Sequence, residues 1–285
     1  MNANDAETLD GRIEALFALP AGTTAPDSAG ATIDELLHAL ETGALRSAVR
    51  GDDGTWRAVP WVKRGILAGF RFGTIADLSP SGGVFSFVDK NTYPPQLFSV
   101  SQMVRIVPGG STVRRGAYLA PGVVCMPPMF VNVGAYVGAG TMIDSHALVG
   151  SCAQIGARCH ISAAAQVGGV LEPVNASPVI IEDDVMMGGN SGVYEGTVVR
   201  AKAVIAAGVV LTRGTPVYDL VHEQVYRASA DAPLEIPSGA VVVPGARNVK
   251  RGWAAEQGLA LQTPVIVKYR DEKTDLATAL EGWLR

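Results

Sequence analysis

The most regular feature of the chain is an aliphatic residue at every sixth position in its middle third. The column has seven consecutive members and resumes after a gap of fourteen residues: Val131, Val137, Ile143, Val149, Ile155, Ile161 and Val167, then Ile181, Met187, Val193, Val199 and Ile205. A period of six matches neither a helix nor the alternation of an ordinary strand. It predicts a solenoid whose triangular coil has three faces of six residues, each turning one aliphatic side chain inward.

A second column lies four positions after each aliphatic residue and is small or short-branched: Ala135, Thr141, Ala147, Ala153, Cys159, Ala165, Val185, Ser191, Thr197 and Ala203. Such side chains fit the inside of a tight corner, so the two columns together are predicted to fill the shaft. Glycine directly follows the aliphatic residue at Gly138, Gly150, Gly156, Gly168 and Gly188. We expect these glycines to have positive φ in a turning backbone.

The segments on either side of the solenoid follow other patterns. Helical spacing of apolar residues predicts helices around 13–17, 33–40 and 62–70, with Thr32 or Asp27 capping the second, and a strand-like piece before the third. We expect an N-terminal α/β domain over 1–105 and the solenoid over 106–216. The fourteen-residue gap, counted as two hexads plus two residues, predicts an excursion at 168–180, and such loops often carry function.

The remaining residues, 217–285, are predicted to form a small strand and helix extension. It would comprise a polar connection at 217–238, strands at 240–244 and 264–268, and a helix at 274–284. The protein is therefore expected to be mainly β, with a central solenoid and two modest flanking units.

Charge and composition narrow the functional classes. A net charge of −4 and a pI near 5.6 argue against a nucleic-acid partner, which calls for a basic surface. No apolar run approaches the roughly 20 residues that span a bilayer, and the polar start does not resemble a signal peptide, so we expect a cytoplasmic protein without a membrane partner. The odd number of cysteines and the inward position of Cys159 indicate reduced packing residues. The scattered histidines and cysteines predict no metal site.

Motifs along the whole chain resemble a known family. The hexads themselves resemble those of left-handed parallel β-helices, which implies the left-handed course of the coil. Motifs inside and outside the shaft resemble tetrahydrodipicolinate N-succinyltransferases: Gly140-Thr-Met-Ile-Asp144, Val149-Gly-Ser-Cys-Ala-Gln-Ile-Gly156 and Gly168-Gly-Val-Leu-Glu-Pro173, with Thr42 to Arg46, Trp61-Val-Lys63, Val88-Asp-Lys90 and Val265-Ile-Val-Lys268 outside.

This resemblance implies a homotrimer with active sites in the grooves between neighbouring shafts. An acyl-coenzyme A and a cyclic imino dicarboxylate would bind there, and no cofactor would be held permanently. Arg105 matches a family arginine suited to grip a substrate carboxylate, whereas its alternative role is a surface ion pair. Asp144 matches the family aspartate that is a candidate for orienting or deprotonating the acceptor amine, and its alternative role is a solvated turn residue.

The coenzyme contacts that the resemblance implies are mostly backbone positions. Gly168 and Gly169 would bring N–H groups close to the thioester and are candidates for an oxyanion hole, although they equally suit a simple turn into the excursion. Further expected contacts of the coenzyme are Ser162, Ala163 and Ala207.

The chain departs from the family in the presumed cleft. The family's Ile-Gly-Ala-Arg-Ser-Glu is Met187-Gly-Gly-Asn-Ser-Gly192 here, so Asn190 replaces an arginine and Gly192 replaces a glutamate proposed as catalytic base. The family's Thr-Trp after Asp144 is Ser145-His146. If chemistry persists, another group must take the proton. Asp144 is one candidate and His146 is a second, because imidazole titrates near neutral pH; the alternative for His146 is a stacking residue.

The lost arginine bears on the acyl donor. A succinyl group ends in a carboxylate whose burial is costly without a cationic partner, whereas an acetyl group needs none. We therefore expect Asn190 to contact the substrate and to favour acetyl-CoA or another neutral donor. Because the changes cluster in the cleft, the chain resembles the paralogue of tabtoxin biosynthesis more than a housekeeping enzyme of the lysine and diaminopimelate pathway.

The leading functional hypothesis is an acyl-CoA-dependent N-acyltransferase, succinyl or acetyl, acting on tetrahydrodipicolinate or a related amino dicarboxylate. The alternative from another class is a non-catalytic trimeric paralogue that binds coenzyme A or another ligand. Sugar-nucleotide and serine acetyltransferases share the shaft but lack the motifs outside it. A γ-class carbonic anhydrase needs histidines spaced to bind metal between subunits, and this shaft offers His146 and His160 alone.

Overall fold

The centre of the protein is a three-sided parallel β-helix. A computed structural model describes residues 8–80, 83 and 86–271. Consecutive two-residue strands visit three sheets in turn, and each strand pairs in parallel with the strand one coil further on. Tyr136 pairs with Gln154 and Val137 with Ile155, a register of 18 residues. Three faces of six residues produce this register, so the predicted solenoid is confirmed.

In the described residues before the shaft, the chain forms three α-helices, two hairpins and a short 3-10 helix at Val100–Gln102. The helices are α1 (Leu9–Phe17), α2 (Ala29–Glu41) and α3 (Pro60–Phe72), as the apolar spacing predicts. The antiparallel hairpins are β1 (Ala48–Arg50) with β2 (Trp56–Ala58), and β3 (Ile75–Asp77) with β4 (Val88–Lys90). The N-cap of α2 is Ser28, so both expected caps are wrong: Asp27 precedes the N-cap and Thr32 is buried within the helix.

The strands of the shaft form three faces, which we name A, B and C in chain order. Face A contains β5 (Arg105–Ile106), β8 (Val124–Cys125), β11 (Met142–Ile143), β14 (His160–Ile161), β17 (Met186–Met187), β20 (Val204–Ile205) and the start of β25 (Ala240–Asn248). Face B contains β6 (Thr112–Val113), β9 (Phe130–Val131), β12 (Leu148–Val149), β15 (Gln166–Val167), β18 (Gly192–Val193) and β21 (Val210–Leu211). Face C contains β7 (Tyr118–Leu119), β10 (Tyr136–Val137), β13 (Gln154–Ile155), β16 (Ile180–Ile181), β19 (Val198–Val199) and β24 (Glu235–Ile236).

The interior of the shaft is packed by the two predicted columns. The aliphatic residues and the apolar members of the small column lie in one continuous buried core, and the polar members Thr141, Ser191 and Thr197 are buried as well. The helices share a second core, built around Ile13, Leu36 and Ile66, which also takes in Val133 and Cys152 from the shaft. The N-terminal unit therefore packs directly against the corner between faces B and C. Among the described residues, no helix has the length and apolarity that crossing a lipid bilayer requires.

The glycines that follow the aliphatic residues have a different role from the one expected. In the described chain the positive φ values fall two residues later, as at Gly140 and Asn190. A Cβ at Gly138 would lie 2.5 Å from the carbonyl carbon of Gly156, and one at Gly188 would lie 2.4 Å from the amide nitrogen of Ala207. These glycines are therefore needed because the backbone of the next coil passes too close for any side chain.

The excursion and the end of the shaft also differ from expectation. Strand β15 is followed directly by β16, so the fourteen residues from Val167 to Ile181 make a single step from face B to face C, where six would suffice. The prediction that this interval contains two hexads plus two extra residues is therefore wrong. Past residue 216, the predicted end, β24 and β25 continue faces C and A by pairing with β19 and β20.

The C-terminal part contains more strand than predicted. The polar connection holds the hairpin of β22 (Val217–Asp219) and β23 (Gln224–Tyr226). The two predicted strands are longer than expected: β25 pairs antiparallel with β26 (Ala260–Tyr269), and the short helix α4 (Gly252–Glu256) lies between them. The helix predicted at 274–284 lies outside the described residues.

A buried carboxylate holds the turn between β22 and β23. Oδ1 of Asp219 accepts hydrogen bonds from the N–H groups of Val221 and His222, and Oδ2 accepts one from the Tyr269 hydroxyl at 2.7 Å. Burial raises the pKa of Asp219, but the hydrogen bonds from Tyr269 and His222 outweigh it and lower the pKa to about 2. The folded state therefore favours the ionised carboxylate.

The Asp219→Asn variant is expected to lose its stability less steeply in acid. The folded pKa lies below the unfolded value of about 3.9, so the carboxylate stabilises the fold above about pH 4 by roughly 2 kcal/mol, and this contribution is lost as the pH falls toward 2. Urea unfolding should give the variant a lower free energy of unfolding at pH 7 and a smaller decrease between about pH 5 and pH 3. The control is Asp231→Asn, which removes an exposed carboxylate. Parallel pH curves for Asp219→Asn and the unchanged protein would contradict the assignment.

Candidate active site

Six of the residues singled out from the sequence lie on one corner of the shaft, between faces A and B. This corner AB is the stack of turns at 126–128, 144–146, 162–164, 188–190 and 206–208. Backbone hydrogen bonds join successive turns, as from the Ala164 N–H to the Ser145 carbonyl at 2.9 Å. At about 4.8 Å per coil, the stack brings the following residues within roughly 15 Å of one another along the shaft: Asp144, His146, Ser162, Ala163, Asn190 and Ala207.

Asp144 begins its turn with the carboxylate held in place. Oδ1 accepts a hydrogen bond from the Ser145 N–H at 2.7 Å, and Oδ2 lies 3.8 Å from Nε2 of His160. The Asp144 side chain is 31% exposed, so a ligand can reach it. A carboxylate beside an imidazole can orient a proton-accepting group or accept the proton itself.

His160 is the site residue that the sequence reasoning missed. From the sequence, a structural role is expected for it, because it matches a family histidine and lies next to the corner of its coil. In the structure it points outward on face A one coil beyond Met142, which puts it beside Asp144. Writing the sequence in rows of 18 residues shows this neighbourhood, because His160 then stands directly under Met142.

The side chains of His146 and Arg105, the two remaining charged or titratable candidates, face solvent. His146 is exposed in a left-handed turn with φ 62°, and its N–H donates to the Pro128 carbonyl. Arg105 is exposed on β5, two strands from β11 on face A, and its guanidinium makes no hydrogen bond or ion pair with the residues that the structure describes. An uncommitted guanidinium is suited to a bidentate bond with a carboxylate ligand. It lies about 10 Å along the shaft from the level of Asp144.

The two candidate glycines lie on a different corner, between faces B and C. Within one chain the structure therefore does not bring Gly168 and Gly169 beside Asp144. The excursion that follows them is held by α3: the fully buried Lys63 donates from Nζ to the Ala176 carbonyl at 2.6 Å. Burial away from water lowers the pKa of Lys63.

The three cysteines do not have the surroundings of a nucleophilic thiol. All are buried and unbridged. Burial raises the pKa to about 12 for Cys125, to about 11 for Cys152 and to about 12 for Cys159. The thiolate is the nucleophilic form, so these thiols are suited to packing, as the hexad position of Cys159 indicates.

Comparisons with known proteins identify relatives over nearly the whole chain. The family model described as tetrahydrodipicolinate N-succinyltransferase N-terminal matches residues 8–72, and the hexapeptide repeat of succinyl-transferase matches residues 178–213. The 2,3,4,5-tetrahydropyridine-2,6-dicarboxylate N-succinyltransferase of Bradyrhizobium diazoefficiens is 39% identical over 257 residues, 89% of each chain. The enzyme of the same name from Nitrobacter hamburgensis is 38% identical over 282 residues, 98% of this chain and 97% of its own.

The chain belongs to the tetrahydrodipicolinate N-succinyltransferase family. The resemblance drawn from the motifs is confirmed, and the family is one of acyltransferases. The fold is the left-handed parallel β-helix of hexapeptide repeats, as predicted. A solved structure from Campylobacter jejuni, assigned as a 2,3,4,5-tetrahydropyridine-2-carboxylate N-succinyltransferase, is 18% identical with a TM-score of 0.45, covering 87% of this chain and 64% of that chain. The family assignment rests on the curated relatives.

In this N-succinyltransferase family member, the two departures at positions 190 and 192 occupy different surroundings. Asn190 is exposed on corner AB with φ 55°. Gly192 lies on the outer side of face B under the ring of Tyr194: a Cβ at position 192 would lie 2.5 Å from Cε2 and 2.7 Å from Oη of that ring. The tyrosine therefore takes the space that a longer side chain at position 192 would need.

Proposed function

We propose that the protein is an acyl-CoA-dependent N-acyltransferase that transfers an acetyl or succinyl group to the amine of tetrahydrodipicolinate or a related amino dicarboxylate. The observation that carries the proposal is corner AB. There the Asp144 carboxylate, which accepts the Ser145 N–H and lies 3.8 Å from Nε2 of His160, is on the same side of the shaft as the uncommitted Arg105 guanidinium. A proton-accepting group suits the amine of an amino dicarboxylate acceptor, and a cation on the same side of the shaft suits one of its carboxylates.

The chemistry follows from these groups. The amine nitrogen attacks the thioester carbonyl, the C–N bond forms, and the carbonyl oxygen becomes an oxyanion that backbone N–H groups stabilise. The C–S bond then breaks and the coenzyme leaves as a thiolate. The proton that the amine loses passes to the Asp144 carboxylate, with His160 or the exposed His146 as the neighbouring imidazole, and is returned to the thiolate. Arg105 holds an acceptor carboxylate so that the amine is aligned.

The site is proposed to be completed by neighbouring copies in a homotrimer. Asp144 and Gly168 lie on opposite edges of face B, and the residues of corner AB stand on an open surface. Close to Arg105 along the chain, the large apolar side chains of Leu97 and Val100 are 94% and 96% exposed, which favours a covering partner. A second shaft against this edge would make a groove for an acyl-CoA. A monomeric mass by light scattering would contradict the proposed assembly.

Release of free thiol from acyl-CoA tests the function directly. With tetrahydrodipicolinate or a dicarboxylate amino acid as acceptor, we expect acceptor-dependent thiol release. Coenzyme A binding without release would overturn the function and favour a non-catalytic binding paralogue. We further propose a cytoplasmic role in biosynthesis of the lysine and diaminopimelate type or in its tabtoxin branch, and the preferred acceptor in this assay distinguishes the two.

The Asn190→Arg variant is expected to shift donor preference toward succinyl-CoA. The unchanged protein should have the higher kcat/KM with acetyl-CoA, because Asn190 supplies no positive charge for a succinyl carboxylate. The variant should raise the succinyl to acetyl ratio of kcat/KM by about tenfold, as a hydrogen bond to a charged group contributes about 1.5 kcal/mol or more. Gln224→Arg adds the same charge on an exposed strand outside corner AB and should leave the ratio unchanged. A clear preference of the unchanged protein for succinyl-CoA would end this donor assignment.

A further inference from the structure

The C-terminal hairpin extends face A beyond the edge of the shaft. Val242 of β25 pairs with Ile205 of β20, so the two strands lie in register on this face. After Ile205 the chain turns through corner AB at 206–208, whereas β25 continues to Asn248 and stays paired with β26. At about 3.3 Å per residue, this continuation projects roughly 15–20 Å past the shaft on the side of corner AB. We name the projecting part, residues 243–265, the arm.

A cleft of about 560 Å³ on the arm is lined by cationic side chains. Arg247, Lys250 and Arg251 contribute three positive charges, and none of the described residues that line the cleft is acidic. Leu261, which pairs with Arg247 across the hairpin, and Tyr218 of β22 add an apolar and an aromatic surface. The cleft is therefore a strongly positive site with one apolar wall.

The positive charges of the cleft are not neutralised by the protein. Within the part of the chain that the structure describes, the side chains of Arg247, Lys250 and Arg251 make no hydrogen bond and no ion pair. Arg247 is half-buried in the wall of the cleft, and its Nε is enclosed without an acceptor. By contrast, Arg200 on the shaft is paired with Glu182 and Glu235. Like charges repel, and a partly buried cation without a counter-charge is costly, so the cleft favours an anionic ligand.

The number and kind of the cations favour phosphate groups. Guanidinium groups bind phosphate oxygens in pairs, and an ammonium group adds a compact point charge. A single carboxylate would neutralise one of the three cations, whereas the diphosphate and the ribose phosphate of coenzyme A together match all three. The ring of Tyr218 and the side chain of Leu261 suit the adenine base, since base–aromatic stacking does not depend on base identity.

The cleft lies at the distance from Asp144 that a bound coenzyme A requires. On face A four strand steps separate β11, which precedes Asp144, from β25. At about 4.8 Å per step and 3.3 Å per residue along the strand, Arg247 lies roughly 20–25 Å from Asp144. The chain from the sulfur to the first phosphorus of coenzyme A has about 13 bonds and spans roughly 15 Å when extended, at three bonds per 3.6 Å. The other phosphates lie beyond it, so a thioester at corner AB leaves them within reach of the cleft.

We propose that the arm binds the phosphate groups of the acyl-CoA through Arg247, Lys250 and Arg251, with the thioester directed toward corner AB. This inference rests on the proposed acyltransferase function. The three cations contact a part of the donor that does not react, so they bind the ground state and the transition state equally. Their removal should therefore raise KM for acyl-CoA and leave kcat unchanged.

Donors with and without phosphates test the arm. The double variant Lys250→Gln, Arg251→Gln removes two exposed cations. With acetyl-CoA it should lower kcat/KM by about tenfold or more, the range for losing hydrogen bonds to charged groups. With acetyl-pantetheine, which has no phosphate, kcat/KM should be that of the unchanged protein. The matched control is Arg57→Gln, Lys202→Gln, which removes two exposed cations outside the arm and should leave both donors unaffected.

Titration calorimetry measures the same contacts without turnover. The double variant should bind coenzyme A about tenfold or more weakly, and inorganic pyrophosphate should bind the unchanged protein much more weakly than coenzyme A does. A twofold or smaller change in acetyl-CoA kcat/KM, or an equal decrease with acetyl-pantetheine, would overturn the role of the arm. Pyrophosphate binding as tight as that of coenzyme A would overturn the assignment of the coenzyme as its ligand.

The two levels of the proposal can fail separately. Absence of thiol release from both donors would overturn the acyltransferase function, and weaker coenzyme A binding by the double variant would still support the arm as the phosphate site. Thiol release that is the same in the double variant and the unchanged protein with both donors would support the function and overturn the arm.

Discussion

The Asp144→Asn variant is expected to lose acyl transfer by about 100-fold or more in kcat/KM, the range for removing a general base. Asparagine keeps the shape of the side chain, and its amide oxygen can still accept the Ser145 N–H that Oδ1 accepts at 2.7 Å. It cannot take a proton, and it offers no charge to the His160 imidazole 3.8 Å away. Initial rates of thiol release at saturating and limiting acceptor measure the effect, and the melting temperature should stay unchanged.

Three further variants sharpen this result. Asp52→Asn removes an exposed carboxylate in the turn between β1 and β2 and should leave the rate unchanged. His160→Asn should lower the rate if the imidazole beside Asp144 orients or relays the proton, whereas His146→Asn should do so if the exposed imidazole acts instead. Full activity in Asp144→Asn would exclude this carboxylate as the base and remove the central residue of the proposed site.

The Gly150→Ala variant is expected to destabilise the shaft more than any exposed substitution. A Cβ at position 150 would lie 2.1 Å from the amide nitrogen of Gly169 and 2.7 Å from the carbonyl carbon of Gly168. Both contacts are with backbone, which cannot move without breaking the coil-to-coil hydrogen bonds. Overpacking of this kind costs about 2–3 kcal/mol, or a decrease of roughly 6–10 °C in melting temperature for a chain of this size. Calorimetry and urea unfolding measure both quantities.

The same substitution should also impair the site. Because the clash is with Gly168 and Gly169, any relaxation moves the backbone N–H groups that the family resemblance places close to the thioester, so kcat should fall together with stability. The matched control is Gly30→Ala in α2, where a Cβ has nothing within 4 Å and φ is not positive. Alanine is the better helix former, so that control should leave stability unchanged or slightly increased. Equal melting temperatures for the two variants would contradict the close approach.

The fold could be predicted further than the site. Hexad period, small column and helical spacing are local signals, and they correctly identify the coil, its filling and three helices. The function of the glycines after the aliphatic residues was predicted wrongly, because a close approach between coils depends on residues 18 or more positions away. The step from Val167 to Ile181 was miscounted for a similar reason: spacing alone does not tell which face receives the chain after an insertion.

At the site, motif matching selected Asp144 and Arg105 but not the neighbours that give them chemical meaning. His160 lies next to Asp144 through the coil register, and the Tyr194 ring lies over two glycines that are 24 residues apart in sequence. These features are contacts between residues that are far apart in sequence, and a pattern read along the chain does not show which distant residues meet.

By itself, the sequence determined a repeating coil and the family to which it belongs. Each hexad contains one aliphatic residue that points inward and one small residue that fits a corner, so the coil can be recognised from local sequence. Tertiary structure alone decided that candidates chosen from four separate turns form a single edge, that the glycine pair lies on another, and that a tyrosine fills the space left at Gly192. The reason is physical: inward packing is set by local period, whereas the outer surface of a solenoid is assembled from residues one coil apart, held together by interstrand hydrogen bonds.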